Sequence, residues 1–198
     1  AVGGATVGKG TEALYESGLT VIGTDIYHSE HVQVLADAHQ IPFADGTFDA
    51  VIVQAVLEHV LDPNLVVAEI WRVLKPEGLV YAETPFLQQV HEGAYDFTRF
   101  TDSGHRWLFR RFELIDSGTV AGPGLALQWS VDYLIRSLFR SRSAGIRSRR
   151  LTVPLRWLDN RVDAAFAVDA ASCVFFFGRR SPNTITPGDI AGYYKGAQ

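Results

Sequence analysis

The chain carries a single cysteine, Cys173. No disulfide framework can form within it, and the count fits a reducing compartment. No apolar run is long enough to span a bilayer, and no secretory leader pattern is visible. Clustered positive charge is also missing. A formal net charge of -4 over 198 residues argues against a general nucleic-acid binder. There is no internal repeat and no low-complexity tract. What remains is 47% hydrophobic and 20% charged residues, enough for one substantial core. A single cytoplasmic domain over residues 1–180 is expected, with a tail over 181–198.

The most informative stretch is the first thirty residues. Gly3-Gly4-Ala5-Thr6-Val7-Gly8-Lys9-Gly10 is a glycine-rich turn, followed by a helix-like segment from Thr11 and a short apolar strand ending at Asp25. Glycines allow close backbone approach to a ligand, and a following helix start favours anionic groups. An acid after the second strand suits a ribose diol. Together these features predict a nucleoside-cofactor site. The strand that should lead into the glycine turn is nearly absent, so the N-terminal strand is expected to be truncated.

Further along, Leu19–Thr24, Val34–Ala36, Phe48–Val53, Leu79–Thr84, Phe112–Gly118 and Ser172–Gly178 read as strands. Asn64–Leu74 has helical apolar spacing and is stopped by Lys75-Pro76-Glu77-Gly78. Thr101 reads as the N-cap of a helix reaching about Arg111. Strands alternating with helices predict an α/β fold with a parallel sheet covered on both faces. A helical insert is expected over about residues 120–171, with helices at Leu127–Phe139 and Leu155–Val162.

Four ordered pieces carry a family resemblance: Gly3-Gly4, Asp25-Ile26, Ala36-Asp37-Ala38 with Ile41-Pro42-Phe43, and Phe48 through Glu58-His59, the set closing in Val73-Leu74-Lys75-Pro76-Glu77-Gly78. With them the chain resembles the class I S-adenosylmethionine-dependent methyltransferases. The resemblance covers roughly residues 1–118 and the last strand. It implies a Rossmann-like, seven-stranded, mostly parallel sheet and S-adenosylmethionine as cofactor. It also implies that Gly3 and Gly4 pass under the methionine portion, that Asp25 holds the ribose hydroxyls and that Ile26 lies against the adenine. Asp37 and the Ala38 amide would meet the adenine edge, and Gln54 and Ala55 would sit near the sulfonium. Two positions depart from the pattern: Ala1 stands where an acid is usual and Ala5 where a glycine is usual.

The acceptor is read from the segment after the fifth strand. Residues 85–101 combine aromatics with His91, Glu92, Asp96 and Arg99 at the sheet edge where open parallel sheets bind ligands. His91, Glu92, Tyr95, Asp96 and Arg99 are the candidate substrate contacts; a packed connector with an internal Asp96–Arg99 ion pair is the equally weighted alternative. A similar run occurs in bacterial methyltransferases near sugar and envelope pathways. A small or carrier-linked acceptor is therefore expected, such as a hydroxyl of a saccharide or lipid intermediate. Deprotonating a hydroxyl needs a base, and His91, then His59 and His105, are the candidates. His28, His31 and His39 do not form a metal set by spacing, and no metal is expected.

Several alternatives stay open. Gly3 to Lys9 spells most of a phosphate loop, but Gly10 stands where a magnesium-binding hydroxyl belongs. Asp25 would serve a nicotinamide cofactor equally well. A non-catalytic binding module is the competing class, kept by Ala1 and Ala5. The basic, aromatic 129–150 region is read as solvated, beside a cap over the site, in preference to a peripheral membrane contact.

Overall fold

The computed structural model describes residues 1–8 and 10–198. Lys9, and with it part of the phosphate-loop reading, lies outside the described residues. The centre is a four-stranded sheet in the order β3 (Phe48–Gln54), β4 (Leu74–Pro85), β6 (Cys173–Arg180), β5 (Phe112–Ala121). β3 runs parallel to β4, while β6 is antiparallel to both neighbours. β1 (Thr24–Asp25) and β2 (Val34–Leu35) form a second, parallel pair. Val2 links the two sheets through single parallel bridges to Thr24 and Val53. The Val2 N–H donates to Ile52 O at 2.8 Å, and the Thr24 N–H to Ala1 O at 2.8 Å.

The expected seven-stranded, mostly parallel sheet is thus corrected to six strands in two sheets of mixed direction among the described residues. Gly23 lies where β1 meets the segment that leads into β2. Its N–H donates to Gln33 Oε1 at 2.7 Å, and a Cβ there would stand 2.0 Å from His31 O. The Gly23 carbonyl also accepts the Gln33 and Val34 N–H groups at 3.0 and 3.2 Å, and the ladder with β2 follows from Thr24.

α1 (Glu12–Glu16) precedes β1, α2 (Pro63–Val73) lies between β3 and β4, α3 (Asp102–Leu108) between β4 and β5, and α7 (Pro187–Tyr193) follows β6. α2 forms because Pro63 fits the first helical position and the Asp62 carboxylate accepts the Leu65 N–H at 3.1 Å. Its buried stripe, Val66, Val67, Ile70 and Val73, packs on the sheet. The core gathers Val53, Leu57, Ile70, Val80, Phe109 and Phe176, with the Phe109 and Phe176 rings stacked at 4.7 Å.

Three helices separate β5 from β6: α4 (Pro123–Phe139), α5 (Arg142–Leu158) and α6 (Ala164–Asp169). The stretch expected to be a solvated loop after Phe139 is mostly helix, continuous through Pro154. α4 and α5 pack against each other around Asp132, which is fully buried. Its carboxylate accepts from Arg136 Nε at 2.6 Å and also from Arg149. Gly145 fits here because an added Cβ would meet Asp132 Oδ1 at 2.1 Å. At the far end, Asp159 accepts the Gly124 and Leu125 N–H groups at 2.6 and 3.1 Å, closing the start of α4. Leu134, Leu138, Phe139, Leu151 and Trp157 point outward from this hairpin. Among the described residues, no helix is long and apolar enough to cross a membrane.

Candidate active site

The carboxyl ends of β1, β2 and β3 converge on the glycine turn. Gly3 has φ +72°, a left-handed conformation, and a Cβ added there would lie 2.1 Å from Val56 Cγ2. Asp25 is fixed at the end of β1: Oδ2 accepts the Ala5 N–H at 3.0 Å and Oδ1 the Tyr27 N–H at 2.9 Å. A carboxylate has about four acceptor positions, so capacity for a ribose diol remains. Ile26 and Tyr27 are exposed beside it. The Ala36 N–H donates to Asp25 O at 2.9 Å, which sets Asp37 on the neighbouring strand end. Asp37 Oδ1 is engaged by the His39 N–H and ring at 2.9 and 2.6 Å; those bonds hold its pKa below the usual value. Ala38 packs against the core. Acids at two adjacent strand ends with exposed apolar surface between them match the sugar and base of a nucleoside, so these residues fit S-adenosylmethionine.

β3 ends in Gln54 and Ala55. Gln54 lies against the loop, since a Cβ on Gly8 would stand 1.6 Å from Gln54 Oε1. Its amide donates to Glu83 Oε2 at 2.9 Å, and Tyr81 holds the other Glu83 oxygen at 2.5 Å. Ala55 adopts φ +53°, a conformation that costs about 1–3 kcal/mol for a non-glycine residue. Such strain concentrates at functional turns. Here it swings the chain off the sheet and returns Glu58 and His59 to its edge.

Glu58 anchors the other end of the crevice. Its side chain is 1% exposed, and neither carboxylate oxygen has a hydrogen-bond partner among the described residues. Burial pushes its pKa up. The loop after β4 is tied to it by backbone: the Phe97 and Thr98 N–H groups donate to Glu58 O at 2.8 and 3.3 Å. That loop delivers His91, whose Nε2 lies 4.0 Å from Glu58 Oε1; His59 Nε2 lies 3.6 Å from the same oxygen. The two imidazole rings meet edge to face at 4.9 Å.

Asp96 is buried and paired with Arg99, which donates to Oδ2 at 2.9 Å and to Oδ1. Arg99 holds the carboxyl well below the usual range. Arg99 also donates to the Gln88 and Gln89 carbonyls. The expected contacts Asp96 and Arg99 thus form an internal ion pair that shapes the loop, while both line a pocket of about 490 Å³ together with Gln88, Thr98 and Tyr133. Tyr95 and Glu92 are exposed on the outer turn.

His105 does not join the site. It is 1% exposed among Phe100, Phe109 and Phe176, and both ring nitrogens lack partners among the described residues. Its place in the expected set is corrected: a ring sealed in the aromatic core cannot reach an acceptor. Burial drives its pKa down to about 3. Sequence reasoning sets Glu58 after the fourth strand and Gly8 in the glycine turn without giving either a role of its own, and it passes over Glu83. The available signal is a polar residue just beyond, or at the end of, an apolar strand that opens on the crevice.

Residues 2–82 match the family model described as a methyltransferase domain. Over these residues the chain is similar to the class I S-adenosylmethionine-dependent methyltransferases. Solved structures agree in fold: a putative sarcosine dimethylglycine methyltransferase from Galdieria sulphuraria superposes with TM-score 0.57 at 16% identity, covering 91% of this chain and 77% of that one. A Burkholderia thailandensis 1,6-didemethyltoxoflavin-N1-methyltransferase, solved with S-adenosylhomocysteine, gives 0.54 at 16% identity over 91% and 69%. Among curated relatives, the ubiquinone/menaquinone biosynthesis C-methyltransferase UbiE of Saccharophagus degradans is 38% identical over 93 residues, 46% of this chain and 34% of its own length. The chain therefore spans about a third of that relative.

Proposed function

We propose that the chain transfers the methyl group of S-adenosylmethionine to a hydroxyl of a small or carrier-linked acceptor, a saccharide or lipid intermediate, held against Glu58, His59 and His91. The observation that carries this reading is the buried, unpartnered Glu58 carboxylate facing two imidazoles just beyond the strained strand exit at Ala55. Gly3 and Gly4 support the methionine portion, Asp25 the ribose, Ile26 the adenine face, and Asp37 with the Ala38 amide the adenine edge. Gln54 and Ala55 flank the reacting end.

The sulfonium supplies the chemical driving force for an in-line displacement. The protein aligns the acceptor oxygen and takes up its proton. The Glu58–His59–His91 cluster is the proton-accepting group in this reading, and the pocket beside Asp96 and Arg99 receives the rest of the acceptor. The family match ends at residue 82, so it includes Glu58 and His59 but not the loop that carries His91, Asp96 and Arg99.

Calorimetry with S-adenosylhomocysteine tests the cofactor half of the proposal. Binding is expected, and Asp25→Ala is expected to weaken it by about 1.5–3 kcal/mol, the worth of charged hydrogen bonds. No heat at millimolar ligand would refute it. Turnover against a panel of hydroxyl, amine and activated-carbon acceptors tests the other half; methylation confined to nitrogen or carbon would overturn the hydroxyl assignment.

A further inference from the structure

The ring nitrogens of His59 and His91 have their protons assigned by their outer partners. His59 Nδ1 lies 2.6 Å from the Tyr95 carbonyl, which can only accept. His91 Nδ1 lies 3.3 Å from Asp96 Oδ2 and 3.3 Å from the Gln89 carbonyl, which also only accept. Both Nδ1 atoms must therefore donate. In the neutral rings, both Nε2 atoms are then lone pairs, and both face Glu58 Oε1. Three electron-pair donors converge within 4.8 Å of one another, with nothing among the described residues donating to the carboxylate.

We infer that Glu58, His59 and His91 form a binding site for one divalent transition-metal ion of the Zn²⁺ type. Two imidazoles and a carboxylate are the donor set that such an ion takes when a coordination position is left open for water or substrate. Donors about 2.1 Å from a tetrahedral ion stand about 3.4 Å apart. The two separations from Glu58 Oε1 are 3.6 and 4.0 Å and all three donors lie within 4.8 Å of one another, so the rings must draw in around an ion. Asp96 behind His91 and the Tyr95 carbonyl behind His59 supply the outer hydrogen bonds that fix ligating histidines. The glutamate side is sealed, whereas the histidine side chains are 21% and 22% exposed, so the open position faces solvent and acceptor.

The inference deepens the proposed function and rests on it for the identity of the acceptor atom. A hydroxyl coordinated to the ion would lose its proton to solvent water more readily. The cluster would then act on the acceptor oxygen through a Lewis acid instead of as a base.

The test uses the full chain, stripped with a chelator and titrated with Zn²⁺ alone, with bound metal counted by elemental mass spectrometry. One equivalent is expected. Glu58→Gln and His91→Asn should each weaken binding by at least about tenfold, and Asp96→Asn, acting through His91, by about ten- to a hundredfold. His28→Asn, at an exposed histidine elsewhere, should leave the count unchanged. Circular dichroism checks folding; if Glu58→Gln fails to fold, His91→Asn on the loop decides. Zinc binding by the wild type no tighter than by the Glu58→Gln/His91→Asn double variant overturns the inference, as does an equal loss in His28→Asn. S-adenosylhomocysteine affinity, measured on the same proteins, separates the two ideas. Cofactor binding without zinc sinks only the metal site, and zinc binding without cofactor sinks only the methyltransferase reading.

Discussion

The two ends of the crevice are built by different means. At the proposed cofactor end, Asp25 closes β1 and Asp37 follows β2, both with exposed neighbours, and their placement comes from backbone bonds such as Ala36 to Asp25. At the proposed acceptor end, the Glu58 carbonyl is tied to the loop at Phe97 and Thr98, and the Asp96 carboxylate is held within that loop by Arg99 and the His91 N–H. The first end is a scaffold of local turns. The second is a loop interlocked around the Asp96–Arg99 ion pair. Damage should therefore be graded and confined to binding at the first end, and cooperative at the second.

The sharpest way to expose that contrast is Arg99→Ala. It strands the buried Asp96 carboxylate, which should cost about 3–5 kcal/mol of stability, read by denaturant unfolding. The affinity of the folded fraction for S-adenosylhomocysteine should barely move. If stability instead fell by under about 1 kcal/mol, a figure typical of an exposed pair, the interlocked description would be wrong.

His105 extends the contrast to pH. Its folded-state pKa of about 3 lies below the ordinary 6.5, because the sealed ring resists charging. Below pH 6.5 the unfolded chain binds a proton that the folded chain refuses, so this contribution falls as pH drops from 6.5 towards about 3. The slope is about 1.4 kcal/mol per pH unit. Unfolding of His105→Leu as a function of pH should lack that component; parallel curves for the two proteins would contradict it.

At the cofactor end, Gly3→Ala forces a side chain into a left-handed residue against Val56. S-adenosylhomocysteine binding should weaken about tenfold or more, from roughly 1–2 kcal/mol of backbone strain plus displacement of the turn. The smallest effect belongs to Asp37→Ala. Losing one exposed hydrogen-bond acceptor should reduce the same affinity by about 0.5–1.5 kcal/mol, measured by calorimetry.

The same contrast decides what is legible in the chain alone. Gly3-Gly4, Asp25 and Asp37 declare themselves because local turn chemistry and strand ends are written in adjacent residues. β3 and α2 are legible for the same reason, through apolar runs and periodicity. Glu58 is not, because its meaning comes from a loop that begins beyond β4 and returns to it through Phe97 and Thr98. His105 misleads in the opposite sense. As a polar residue on a short helix it suggests a site, and only the aromatic packing of Phe109 and Phe176 shows that it is core. α5 is hidden by its arginines and by Pro154, since the carboxylate that gathers two of the hairpin's positive charges belongs to α4. β1 is shorter than its apolar run suggests, because the partner strand that meets it, Val34–Leu35, is itself only two residues long.

Asp132 has a wider consequence. With both oxygens committed to Arg136 and Arg149, and Gly145 closing over it, the two long helices cannot slide past each other. Their outward residues, Leu151 at 84% exposure among them, carry none of that restraint. The hairpin is therefore a braced frame whose outward positions can be substituted without touching the buried Asp132 contacts.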